Sequence, residues 1–193
     1  PGIGCAGRGI LSTFDALKEL GLEGHRFDVK LYDVLGDVVC GGFVVPLRRE
    51  YADAIYLVTS GEFMSIYAAN NILKGIRNFD GDACRVAGLI FNGRGLDGEE
   101  EIVERFARGV DLPIVASIPR SQLFSMAERE ASTVVEMFPE SQPAKVITGL
   151  SSHVDNISKD PGILRPACPL DDDQMNQLAS GKEVDKGGRW PDK

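Results

Sequence analysis

The stretch LYDVLGDVVCGGF (31–43) holds the side chains in this chain best suited to chemistry. An apolar run ends in Asp33, and Gly36 follows three residues later to give D-x-x-G. In nucleotide hydrolases an acidic residue at such a strand end reaches the water shell of a bound metal. The glycine lets a backbone N–H approach the γ-phosphate, so the loop reports which nucleotide is bound. A strand followed by a plain glycine turn gives the same four residues. Cys40 lies four residues beyond Gly36 and runs into Gly41 and Gly42, while Cys5 sits in GIGCAGRG (2–9), again among glycines. Glycine leaves its N–H unshielded, so such loops can aim amides at the sulfurs of an iron–sulfur cluster and tune its potential. Packing as a small buried hydrophobe is the other use of a glycine-flanked cysteine. Two thiolates do not complete the usual four-thiolate shell. A cluster therefore brings a second expectation, a symmetric homodimer holding one cluster on its two-fold axis.

The elements that must position these loops are legible as alternating strands and helices. Ile10, Phe14, Leu17 and Leu20 share a helical face that Gly21 ends, and 27–33 alternates with Phe27, Val29 and Leu31 inward as a strand closing on Asp33. Apolar strands are expected at 54–59, 85–92 and 113–119. Helices are expected at 62–77 (Phe63, Ile66, Tyr67, Asn70, Leu73), 98–109 (Ile102, Val103, Phe106) and 143–157 (Val146, Leu150, Val154). Pro143 suits the first turn of the last helix. Near-continuous apolar strands separated by helices predict an α/β fold, a parallel sheet covered on both faces. Ligand groups then gather in the loops after Asp33, Thr59, Asn92 and Pro119. The reading gives a cluster-bearing α/β domain over 1–158 and an extended, loosely attached tail over 159–193, with its prolines and DDD run.

Composition narrows the function. The 193 residues carry a net charge of −8 and are 43% hydrophobic, which argues against a nucleic-acid footprint or a polybasic membrane anchor. No apolar run reaches the ~18 residues of a membrane span and no signal peptide opens the chain, so the expected compartment is the cytoplasm. Four cysteines without a CxxC pair fit neither a secreted disulfide scaffold nor a self-contained zinc site. Cys84 and Cys168 read as incidental thiols, His25 and His153 as isolated surface residues, and DGEEEIVE (97–104) as an acidic helix start suited to the helix dipole.

The segments GIGCAGRGI, YDVLGDVVCGGF, VTSGEFMSIYAANNILKGI and GLIFN closely resemble the nitrogenase iron protein (dinitrogenase reductase) family and its nitrogenase-like relatives, from about Pro1 to Arg120. The resemblance implies a P-loop NTPase-type fold. It also implies an ATP-hydrolysing oxidoreductase, a homodimer with one shared 4Fe-4S cluster and MgATP. Electrons would come from a low-potential ferredoxin or flavodoxin and pass to a catalytic nitrogenase-like component. Residue by residue, it makes Cys5 and Cys40 the cluster ligands. Asp33 falls near Mg²⁺ and the hydrolytic water, with Gly36 at the γ-phosphate and Asp37 signalling towards the cluster. Asn92, Pro119 and Arg120 would line the adenine pocket. Arg8 matches an arginine that is ADP-ribosylated in some nitrogenase systems, and Arg48 and Gly61–Glu62 fall on the partner-docking face.

The family's phosphate loop, G-x-x-x-x-G-K-[ST], does not occur in this sequence, nor do the strand and lysine that accompany it. The chain as written is therefore expected neither to hold MgATP tightly nor to hydrolyse it, and is expected to be a C-terminal piece of a longer product. Ser121 and Arg49 stand where the family usually has acidic residues, and the tail departs from the usual ending. These differences keep other acceptors open, a nickel-tetrapyrrole ring, protochlorophyllide or methylthio-alkanes. A cluster-free P-loop relative that partitions DNA or positions proteins, with Cys5 and Cys40 as packing residues, is the reading from another class, and a non-catalytic fragment or paralogue is the third.

Overall fold

The computed structural model describes residues 6–34, 45–48 and 51–184. Its centre is a three-stranded parallel sheet, β1 (Ile55–Thr59), β2 (Val86–Asn92) and β3 (Ile114–Ile118), in that spatial order. The crossovers are the helices α2 (Phe63–Asp80) and α3 (Glu99–Gly109). Before the sheet runs α1 (Ala6–Glu19). After it come α4 (Gln122–Arg129), α5 (Val134–Met137), α6 (Gln142–Lys159) and α7 (Asp172–Ala179). Each strand and crossover helix lies within about three residues of where apolar periodicity predicts it.

The central strand explains its own composition. Val86 to Phe91 are all buried, because helices cover both faces and neither face of the strand meets water. On one face Ile55 and Leu57 of β1 and Leu89 and Phe91 of β2 pack with Ile66, Leu73 and Ile76 of α2 and Val103 and Phe106 of α3. On the other, Tyr56 and Ala87 meet Ile157 of α6 and Leu164. The β2–β3 register shifts between Leu89 and Ile90. There Gly88 has φ +145°, and an added Cβ would meet Val115 Cγ1 at 2.6 Å and the Pro113 carbonyl at 2.7 Å. Only glycine tolerates both that conformation and that approach.

Two expectations are corrected. Residues 26–34 form no strand, and Phe27, Val29 and Leu31 are exposed rather than inward, Leu31 at 88%. Alternation makes a segment competent to be a strand, but a ladder requires a neighbour. None of the described strands lies beside this one, and β1 pairs with β2 alone among them.

The segment after Lys159 is no loose tail over its described part. Leu164, Ala167, Leu170, Met175, Leu178 and Val184 are buried, most of them in the main core. Arg165 bridges antiparallel to Val86, its N–H donating to the Val86 carbonyl at 2.8 Å. Asn70, fully buried on α2, donates from Nδ2 to the Leu170 carbonyl at 3.0 Å and accepts the Leu170 N–H at 2.8 Å. A side-chain amide thus replaces a backbone partner and pins an extended segment. Helix α7 begins with a capping box between Asp171 and Gln174.

Candidate functional site

The carboxyl ends of the three strands bring three loops together, as a parallel sheet requires. After β1, Thr59 and Ser60 are buried and the turn is closed by hydroxyls. Ser65 Oγ accepts the Ser60 N–H at 3.0 Å and lies 3.1 Å from Thr59 Oγ1. Ser60 Oγ donates to Glu62 Oε2 at 3.1 Å. After β2, the Gly93 N–H donates to the Ile118 carbonyl at 2.8 Å, joining this loop to the end of β3. After β3, Arg120 Nη1 donates to the Arg94 carbonyl at 3.4 Å, and Ser121 accepts the Leu123 N–H to cap α4.

Glu99 sits among these loops, buried at the first turn of α3. Its carboxylate accepts the Arg94 N–H at 3.0 and 2.9 Å and the Gly95 N–H at 2.8 Å. Burial pushes its pKa up, but N–H donation from Arg94, Gly95 and Leu96 and the charge of Arg94 outweigh this and leave it below the ordinary carboxylate value. Arg94 Nε reaches Glu62 Oε2 at 3.7 Å, linking the loop after β2 to the turn after β1.

Of the residues singled out in the sequence, Asn92, Pro119, Arg120 and Glu62 meet at this edge. Asn92, Arg120 and Glu62 are exposed there and Pro119 is half-buried. Asp33 is exposed in the irregular stretch 26–34, and Arg48 is exposed at the end of a short 3₁₀ turn (Val45–Leu47). Cys5, Gly36, Asp37, Cys40 and Arg49 lie outside the described residues, as does the side chain of Arg8, whose backbone belongs to α1. Among the described residues no group of three His, Cys, Asp or Glu side chains is placed to hold a metal. Cys84 is exposed, and burial pushes the Cys168 thiol up, which favours a thiol over a thiolate ligand.

The sequence reading missed Glu99, taken only as a helix-dipole acid, and the Arg94–Glu62 link. The available signal was a carboxylate four residues after a glycine-flanked loop. His153 also departs from its expected surface position. It is half-buried, and its Nδ1 lies 3.0 Å from the Tyr56 hydroxyl, with the rings edge-on. Beside it, β3 and α6 enclose an open groove of about 600 Å³ lined by Val115, Ser117, Val146 and Leu150.

A parallel sheet with its strand-end loops gathered on one edge places the chain in the class of open α/β proteins. The fold is similar to that of the Pyrococcus furiosus cell division ATPase MinD, with a TM-score of 0.53 at 18% identity, covering 78% of this chain and 59% of that one. The chain belongs to the 4Fe-4S iron sulfur cluster binding proteins of the NifH/frxC family, whose model matches residues 1–185. It is 50% identical over 154 residues to nitrogenase iron protein 2 of Methanothermobacter thermautotrophicus, covering 80% of this chain and 57% of that protein. It is 48% identical over 157 residues to the nitrogenase iron protein of Methanospirillum hungatei, covering 80% and 55%. The chain thus spans little more than half the length of these curated relatives. No helix among the described residues is long and apolar enough to cross a membrane.

Proposed function

We propose that this chain is the cluster-bearing part of an ATP-gated electron-transfer protein of the nitrogenase reductase type. The observation that carries the reading is the family match, which spans both glycine-flanked cysteines and the D-x-x-G segment between them. On this reading Cys5 and Cys40, with the same pair from a second copy, hold one 4Fe-4S cluster, which supplies the low-potential electron when bound. Asp33 reaches the Mg²⁺ water shell, Gly36 lies at the γ-phosphate and Asp37 relays towards Cys40. Asn92, Pro119 and Arg120 form the adenine side. Their clustering at the carboxyl edge supports that assignment. Arg8, Arg48 and Gly61–Glu62 face a catalytic oxidoreductase component, and Arg8 is a candidate for ADP-ribosylation.

Seven residues separate Asp33 from Cys40. A phosphate that draws Gly36 inward therefore moves a cluster ligand on the same short segment, and nucleotide gates docking and electron release. The decisive experiment is anaerobic purification with iron and sulfide analysis and an EPR spectrum after dithionite reduction. The expected result is about four irons per dimer and a reduced-cluster signal that Cys5→Ser or Cys40→Ser abolishes. A metal-free protein that also resists cluster reconstitution overturns the reading for this chain and favours the cluster-free relative.

A further inference from the structure

The geometry points to Glu99 as a positioning residue that locks the loop after β2 to the turn after β1, so that the adenine side and the docking turn move as one body. The inference rests on the functional reading above only for what the two loops hold. The mechanical link stands on its own contacts.

Three observations converge. First, the Glu99 carboxylate takes the N–H groups of Arg94 and Gly95 at 2.8–3.0 Å, so the loop carrying Arg94 closes on a fixed charge rather than on water. Second, Gly61 lies against the Glu99 backbone itself. A Cβ at position 61 would meet Glu99 Cβ at 2.3 Å, Cα at 2.6 Å and the carbonyl at 2.8 Å, so the turn cannot shift towards α3 without moving Glu99. Third, Arg94 crosses the gap to Glu62 at 3.7 Å while its carbonyl accepts from Arg120, which ties all three strand-end loops to the residue Glu99 holds. The charge that acts on Glu99 is that of Arg94 of its own loop, which is itself linked to Glu62 after β1 and, through its carbonyl, to Arg120 after β3. The Glu99 carboxylate holds the loop after β2 while its Cβ and backbone abut Gly61, so displacement of either loop is felt by the other through this one residue.

Site-resolved amide hydrogen exchange on the 193-residue chain tests this, with β2 and β3 as internal controls. Glu99→Ala should raise exchange at Arg94 and Gly95 by about tenfold and also raise it at Gly61 and Glu62, leaving β2 and β3 unchanged. Glu99→Gln keeps one acceptor and should give a smaller rise. The wild-type protection of Gly95, corrected for intrinsic rates, should fall with pH only below the ordinary carboxylate value of 4.5 and lose this dependence in Glu99→Gln. Gly61→Ala, a change on the opposite loop, should loosen Arg94 and Gly95. Unchanged exchange at Arg94 and Gly95 in Glu99→Ala, or a rise confined to 93–98, overturns the lock. The iron and sulfide analysis above separates the two ideas. If Glu99→Ala behaves as expected in a chain that stays metal-free and resists cluster reconstitution, the functional reading fails and the lock survives. If the cluster is present but Glu99→Ala leaves Gly61 and Glu62 unchanged, the lock fails and the functional reading survives.

Discussion

The loop after β2 and the stretch 26–34 are both irregular, yet they are built in opposite ways. In the first, backbone N–H groups are met at short range by Glu99 and by the Ile118 carbonyl, so a glycine-rich turn becomes a fixed part of the sheet edge. In the second, an alternating apolar sequence that suits a strand lies exposed, with Phe14 of α1 against Tyr32 among its ring contacts. A loop acquires order from one well-placed acceptor, whereas a strand acquires it only from a neighbour.

That contrast can be broken from its ordered side first. Phe106 is fully buried at the centre of the core, and Phe106→Ala should cost about 3–5 kcal/mol. Denaturant unfolding would show the lost stability, and a cost below about 1 kcal/mol would mean that the sheet and its helices are not one cooperative unit. Asn70→Ala leaves the Leu170 N–H and carbonyl without their partner, at a cost of about 2 kcal/mol. Exchange should then rise across 164–184 before it rises in β2. Acid should act next. The Glu99 pKa is lowered in the folded chain, so its stabilisation is present above 4.5 and lost as pH falls through the lower folded value. A stability–pH curve of wild type should drop more steeply there than that of Glu99→Gln. The smallest effect is expected at Leu31, 88% exposed, where Leu31→Ser should change stability by less than about 0.5 kcal/mol. A larger loss would show that 26–34 is packed against something in solution.

What could be read from the sequence follows the same division. The strands 55–59, 86–92 and 114–118 and helices α2, α3 and α6 were legible because each buries an apolar face within its own segment. The strand expected at 27–33 failed because pairing is a property of two segments, and periodicity reports on one. The packing of 164–184 was hidden behind its prolines and acidic run, although Asp171 and Gln174 already carried the spacing of a capping box. Asn70 was placed on the apolar stripe of its helix, but nothing local announces that its amide grips a backbone 100 residues away. At the candidate site, Asn92, Pro119 and Arg120 were found through family resemblance. Glu99 was passed over because an acidic residue at a helix start already has a sufficient reason to be there.

The Asn70 clasp also sets a timetable. As the chain leaves the ribosome, α2 and the first two strands emerge with a buried-type amide and an apolar face whose cover has not yet been made. Their partner is Leu170, 100 residues downstream. At ordinary synthesis rates that is a wait of roughly 5–20 s. For that interval the nascent sheet is open to whatever binds apolar surface, and the extended segment at Leu170, just ahead of α7, is what closes it.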